Sequence, residues 1–211
     1  MNTILGRKIG MTRIFSEKGD EIPVSVIEAG PCQVTQVKTL KTDSYGAIQV
    51  GYEPIKESHA KKTLLGHLKK AGTVPFRWLK EIKIEDEVAL GQCKLGQEIR
   101  VDIFKPGDHV DVIGFTKGRG FQGVVKRHGF RGLRATHGNN EYFRRPGSIG
   151  TNTFGSNTKR GKRFPGHYGN ERQTILSMKV IRVDFEENLL LLRGGVPGAK
   201  GGLLFIRKST R

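Results

Sequence analysis

Gly118-Arg119-Gly120-Phe121-Gln122-Gly123 satisfies G-x-G-x-x-G, a spacing in which bare glycine amides let a backbone approach a pyrophosphate at a helix start. The motif follows a predicted strand and precedes a predicted short helix at Val124–Arg127. The wider context argues against a dinucleotide. No parallel βαβ unit is readable, and no acid stands at a strand end ~20 residues on to hold a ribose. Glu141 lies in polar loop sequence, and no kinase-type catalytic or metal-binding Asp signature follows. The same amides beside Lys117, Arg119, Lys126 and Arg127 suit phosphates of a nucleic-acid backbone instead.

Other chemistry-bearing sets fail on spacing. Gly161-Lys162-Arg163 resembles the end of a phosphate loop, but Gly155 to Gly161 encloses five residues and Arg163 replaces the Ser or Thr needed for magnesium. His128, His137 and His167 stand 9 and 30 residues apart, matching no helical metal pair. Ser148, His137 and Glu141 make a triad only on paper, with no nucleophile elbow. The expectation is therefore no enzyme, no cofactor, no metal and no small-molecule substrate. Cys32 and Cys93 form no C-x-x-C and are read as two free thiols in a reducing compartment.

What remains is charge. Residues 115–172 hold 13 bases against two acids, Glu141 and Glu171, a net +11 out of the formal +17. The bases are Lys117, Arg119, Lys126, Arg127, Arg131, Arg134, Arg144, Arg145, Lys159, Arg160, Lys162, Arg163 and Arg172. With 12 glycines in the same stretch, self-repulsion and chain entropy both oppose compaction, so the segment needs a dense polyanion. Arginine outnumbers lysine and comes in doublets and clusters, and its planar fork suits bidentate phosphate contact. Those 13 bases and His137 are the candidate RNA-binding residues. Phe121, Phe130, Tyr142, Phe143, Phe154, Phe164 and Tyr168 interleave the charges. They read either as packing anchors or as base-stacking surfaces, and anchors are preferred because no RNP-like sheet pattern accompanies them.

The elements that must carry this stretch are short strands. Ile22-Val24-Val26, Ile48-Val50-Tyr52, Ile99-Val101-Ile103, Val110-Val112 and Ile181-Val183-Phe185 alternate with other residues, and Leu189–Leu192 and Leu203–Ile206 are strand-sized apolar runs. Their number and spacing predict a mainly β fold, a small Greek-key-like β-barrel, with residues 1–114 and 173–211 as the body. Residues 54–96 read as an inserted α+β excursion, with a helix over Thr63–Ala71 ended by Gly72 and a strand over Phe76–Ile84. Residues 115–172 form the long basic glycine-rich extension, a finger tethered at both ends. No apolar run approaches the ~20 residues of a spanning helix, and no signal-peptide core is read, so no membrane association is expected.

Several motifs resemble the ribosomal large-subunit protein number three (L-three) family in its bacterial-length form. Phe104, Asp111, Gly114, Thr116, Gly118-Arg119-Gly120, Gly123 and Arg127 stand in the spacing of the family signature. Gly6–Phe15, Ala135–Asn139, Arg145–Gly150, Gly169–Arg172 and Val196–Ala199 are family-like as well. The resemblance implies a structural constituent of the large ribosomal subunit in the cytoplasm. It also implies binding to large-subunit (23S-type) rRNA, an early role in subunit assembly, and neighbours such as large-subunit proteins fourteen and nineteen. By the same resemblance, Gly118–Arg131 is the rRNA-gripping root of an extension toward the peptidyl-transferase centre, with Thr136–Phe154 its tip. Two positions depart from the family pattern. Thr153 stands where some members carry a methylated Gln, and His128 where many have Trp. Two competitors are an architectural double-stranded-DNA binder, disfavoured by the absence of an amphipathic recognition helix, and a nucleotide-dependent enzyme, disfavoured by the failed motifs above.

Overall fold

The computed structural model describes residues 2–84, 90–91, 93–134, 136, 138–139, 141–150 and 157–210. The chain forms two compact units, Met1–Phe115 with Arg172–Arg211, and Thr116–Glu171. In chain order the strands are β1 (Thr3–Phe15), β2 (Glu21–Ala29), β3 (Cys32–Lys38), β4 (Ala47–Pro54), β5 (Phe76–Lys83), β6 (Glu98–Ile99), β7 (His109–Phe115), β8 (Phe121–Gln122), β9 (Gly166–His167), β10 (Arg172–Asp184), β11 (Leu189–Arg193) and β12 (Leu203–Lys208). The helices are α1 (Leu40–Asp43), α2 (Lys62–Lys69) and α3 (Val124–His128).

The first unit is built on a closed antiparallel barrel in the order β1-β12-β7-β10-β11-β2. β7, β10 and β11 are successive neighbours and β12 returns beside β7, which is the Greek-key order. Residues opposite one another in an antiparallel pair share a face. The register therefore lines up Ile4, Ile206 and Val112, then Leu190 with Ile27, as interior rows, and all five are fully buried. Gly6 and Gly114 flank Leu204 in the adjacent, crowded row. A Cβ on Gly6 would lie 2.7 Å from the Glu28 carbonyl, and one on Gly114 2.7 Å from Leu204 Cδ2. Lys8 pairs with Ile27 on the same face and is buried. Its ammonium donates to the Val196 and Gly198 carbonyls at 2.9 and 3.3 Å, while the Gly201 amide donates to the Lys8 carbonyl at 2.7 Å. One side chain thus fastens the Gly/Pro-rich 194–202 loop to the barrel.

Ile22, Val24 and Val26 lie on β2, as predicted, with Val24, Ser25 and Ile27 all fully buried. Two strand expectations need correction. Ile99-Val101-Ile103 is not a strand. Only Glu98–Ile99 pairs with β3, and Val101–Ile103 is a 3-10 turn. Residues three apart eclipse in a 3-10 helix, so Val101 and Phe104 point together into the core. Phe185 lies past the end of β10 and is 59% exposed.

Ile48-Val50-Tyr52 forms a strand, but not in the barrel. It is β4 of a separate four-stranded sheet ordered β5-β4-β3-β6. The predicted helix at Thr63–Ala71 is α2, and the predicted strand at Phe76–Ile84 is β5. Sequence between the barrel strands β2 and β7 therefore supplies a whole sheet, which begins at β3, well before residue 54. Its Val34, Ile48, Val50 and Tyr52 join Leu5, Ile99 and Phe104 in one cluster with the barrel interior.

Asp111, flanked in β7 by buried Val110 and Val112, is itself buried. Its carboxylate accepts from the Ser177 amide at 3.0 Å and from Arg207 Nε at 3.2 Å. Arg207 stands directly opposite it on β12. Ser177 sits at the irregularity of β10 between Ile175 and Met178, with φ of 53°. Burial pushes the carboxyl up, but the Ser177 amide and Arg207 together outweigh it and hold the group below the usual carboxylate range. Asp111 thereby supports both the bulge and the β7–β12 pairing.

Candidate nucleic-acid interface

The second unit starts and ends in a backbone ribbon. The Thr116 amide donates to the Glu171 carbonyl at 3.0 Å, and the Asn170 amide returns a bond to the Thr116 carbonyl at 3.2 Å. The Thr116 hydroxyl accepts from the Glu171 amide at 3.2 Å. Further along, Arg119 N donates to Tyr168 O at 2.8 Å and Tyr168 N to Gly120 O at 3.0 Å, and β8 then pairs with β9. The glycines of the G-x-G-x-x-G motif serve this ribbon. Gly120 has φ of 67° and Gly169, across from Gly118, has φ of 77°. A Cβ on Gly169 would collide with the Lys117 carbonyl. The spacing reports close backbone approach, as in a phosphate loop, but the approaching backbone is the chain's own.

Gly123 caps α3, and Gly129 ends it in the left-handed region at φ of 71°, its amide donating to the Val125 carbonyl at 3.0 Å. Lys126, Arg127 and His128 fill the last turn, where cations meet the exposed carbonyl ends favourably. Arg127 Nη1 donates to the Phe164 carbonyl at 3.0 Å, and His128 Nε2 reaches the same oxygen at 3.1 Å. A carbonyl only accepts, so His128 Nε2 is the donor in this contact. His128 also leans on Phe130 at 6.1 Å between ring centroids. His128 thus makes an internal tie within this unit. The Arg127 guanidinium fills the space over Gly166 where a Cβ would stand.

The following loop is held by short turns. Leu133 N donates to Phe143 O at 3.0 Å, and amides of Tyr142 and Arg145 donate to carbonyls three residues back. Arg145 lies 4.0 Å over the Tyr142 ring and Arg119 5.0 Å over Tyr168. Phe121 meets His167 edge-on at 6.0 Å. Tyr142, Phe143 and Phe121 are nonetheless 47, 40 and 68% exposed, so anchor and open ring face coexist on the same side chains.

Val124 is the one buried residue among those described in this unit. Every ion pair among the described residues lies in the other unit. Lys117, Arg119, Lys126, Arg131, Arg134, Arg144, Arg145, Lys159, Arg160, Lys162 and Arg163 are exposed. Arg127 is half-buried and turned inward. Arg172 is exposed but belongs to β10 of the first unit, opposite Phe115. His137 and Thr153 lie outside the described residues. Sequence reasoning assigned no role to Lys80, exposed on β5, because a strand pattern does not say which other element a strand will face. Among the described residues there is no group of three or more metal-capable side chains and no helix long and apolar enough to cross a membrane.

A family described as Ribosomal protein L3 matches residues 69–189. Large ribosomal subunit protein uL3 of Pseudothermotoga lettingae is 51% identical over 211 residues, covering 100% of this chain and 99% of that protein. The chain belongs to the ribosomal protein L3 family. Two further uL3 proteins of similar length agree with the assignment. That of Thermosipho africanus is 50% identical over 212 residues, covering 100% of each chain, and that of Herpetosiphon aurantiacus 48% over 211 residues, covering 100% of this chain and 98% of its own. As a member of the L3 family the protein is a structural component of the large ribosomal subunit, and the enzyme readings fall away.

Proposed function

We propose that this protein binds large-subunit (23S-type) rRNA chiefly through Thr116–Glu171, supports early assembly of the large subunit, and extends toward the peptidyl-transferase centre. The single observation that carries the reading is the unit's internal poverty. Among its described residues it has one buried side chain and no carboxylate partner for its cations, and it lies in a stretch with net charge +11. Hydrophobic burial cannot offset the ordering entropy of such a chain, whereas phosphates supply the missing counter-charge and hydrogen-bond acceptors. Lys117, Arg119, Lys126, Arg131, Arg134, Arg144, Arg145, Lys159, Arg160, Lys162 and Arg163 are the proposed phosphate-binding set of this unit, and His137 and Arg172 are proposed rRNA contacts as well. Arg127 acts as a positioning residue, because its guanidinium holds Phe164 and Gly166. Large-subunit proteins fourteen and nineteen are the neighbours suggested by family resemblance, and the cytoplasmic ribosome is the setting.

Binding of the full-length protein to large-subunit rRNA, measured by filter retention across a salt series, tests the reading. The affinity falls linearly on a log–log plot as counterions are released, with a slope of about −0.7 to −0.9 per neutralised phosphate. A flat salt dependence overturns the electrostatic mechanism.

A further inference from the structure

Phe115 and Arg172 stand directly opposite each other on β7 and β10, so their side chains share the outer face of the barrel. Phe205, opposite Ile113, continues that face on β12. With Leu203 and with Lys80 and Glu81 of β5, these side chains line a cleft of about 260 Å³ in the first unit. Phe115 is 54% exposed, so one face of its ring is open to a ligand. Lys80 and Arg172 have no acidic partner among the described residues. Among the described lining residues the one carboxylate is already met, since Glu81 accepts from Lys38 at 2.7 Å and from the Tyr45 hydroxyl at 2.9 Å. The cleft therefore offers an aromatic and aliphatic lining, two unmatched cations and a neutralised acid.

We propose that this cleft takes a single unstacked RNA nucleotide, with its base against Phe115 and its phosphates on Arg172 and Lys80. The volume lies below the roughly 300 Å³ at which sites for drug-sized ligands begin, which suits one planar base and excludes a duplex. Sequence-tolerant base stacking on an exposed aromatic beside cations is how single-stranded RNA is held. The charge sign excludes a basic peptide, and the chain's formal +17 favours a phosphate-bearing occupant. This contact is additional to the phosphate contacts of Thr116–Glu171 and rests on the reading that the protein binds rRNA. It contributes a feature those lack, preference for an extruded base over a continuous helix.

The test uses the full-length protein and two RNA hairpins of equal length, one fully paired and one with a single bulged 2-aminopurine. The bulged hairpin is expected to bind more tightly, with 2-aminopurine fluorescence quenched on binding. Phe115→Ala should lose roughly tenfold or more of that preference, as stacking on one ring supplies, and Phe115→Tyr should retain it. Lys80→Ala with Arg172→Ala should weaken the bulged complex further. Because Phe115 and both cations are exposed, unchanged circular dichroism is expected and excludes misfolding as the cause. Equal binding of the two hairpins, or a Phe115→Ala variant that keeps the preference, overturns the proposal while salt-dependent rRNA binding stands. No binding of either hairpin or of rRNA overturns both readings. Displacement of the quenched base by an acidic, aromatic peptide that binds more tightly than the bulged hairpin would assign the cleft to a protein partner instead.

Discussion

At the scale of single residues, two buried polar groups make the clearest demands. Asp111 is titrated lower in the folded chain than in the unfolded one, where a carboxyl titrates near 3.9. Its contribution is therefore fully present above about pH 4 to 5 and is lost as pH falls through the unfolded value toward the folded one. Melting temperature should drop on acidification below pH ~4, and Asp111→Asn should start lower but fall less over the same range. Asp108 and Glu81 shift in the same direction, so comparison with the Asn variant isolates the Asp111 share. Cys32 is 1% exposed, and burial pushes its thiol up to about 12. A thiol of that kind holds almost no thiolate at neutral pH. Cys32 should resist Ellman's reagent in the native protein and react on unfolding; rapid native labelling at this position would contradict its burial.

At the scale of elements, the turn at Val101–Ile103 and the 194–202 loop show what pattern reading reaches. Ile99, Val101 and Ile103 satisfy a two-residue period, yet the chain turns because Phe104, three residues after Val101, is fully buried with it. Phe104→Ala removes a large core side chain and should cost about 3–5 kcal/mol in denaturant unfolding. Lys8 lies within a family-like stretch, but its role depends on carbonyls nearly 190 residues away in the chain. Replacing it with Met leaves two acceptors without their donor, and a loss of about 1–3 kcal/mol is expected, with faster hydrogen exchange concentrated in residues 194–202. By contrast α2, β5, β7, β11 and β12 were legible, because amphipathic or apolar runs bounded by glycine suffice to mark such elements.

At the scale of the whole molecule, the division of labour is between a unit that carries the core and one that carries the charge. The ends of Thr116–Glu171 are bonded side by side, with Thr116 and Glu171 at 3.0 Å, so a short turn can replace what lies between them. Excising residues 120–170 should leave a cooperative thermal melt and greatly reduce rRNA affinity. Loss of the melt would show that the barrel depends on the removed segment. Within that segment, Arg144→Ala and Arg145→Ala should leave stability within about 0.5 kcal/mol while altering large-subunit sedimentation profiles or elongation. Arg127→Ala should act differently and loosen the contact with Phe164, so the two classes of arginine separate by whether the folded unit or only its RNA affinity responds.

Composition alone determined that a +11 glycine-rich stretch must meet a polyanion, since charge and chain entropy act wherever the residues end up in space. Periodicity alone determined a mainly β body, since alternation is a local property of the strand. Sequence could not decide which strands share a sheet. Ile48–Tyr52 reads like a barrel strand and pairs in another sheet, because pairing partners are set by long-range packing. Nor could it separate Arg127, turned inward to a carbonyl, from the exposed arginines around it, or place Phe115, Arg172 and Lys80 around one cleft. Those assignments depend on which backbones the tertiary structure brings within hydrogen-bond reach, and residue type carries no record of that.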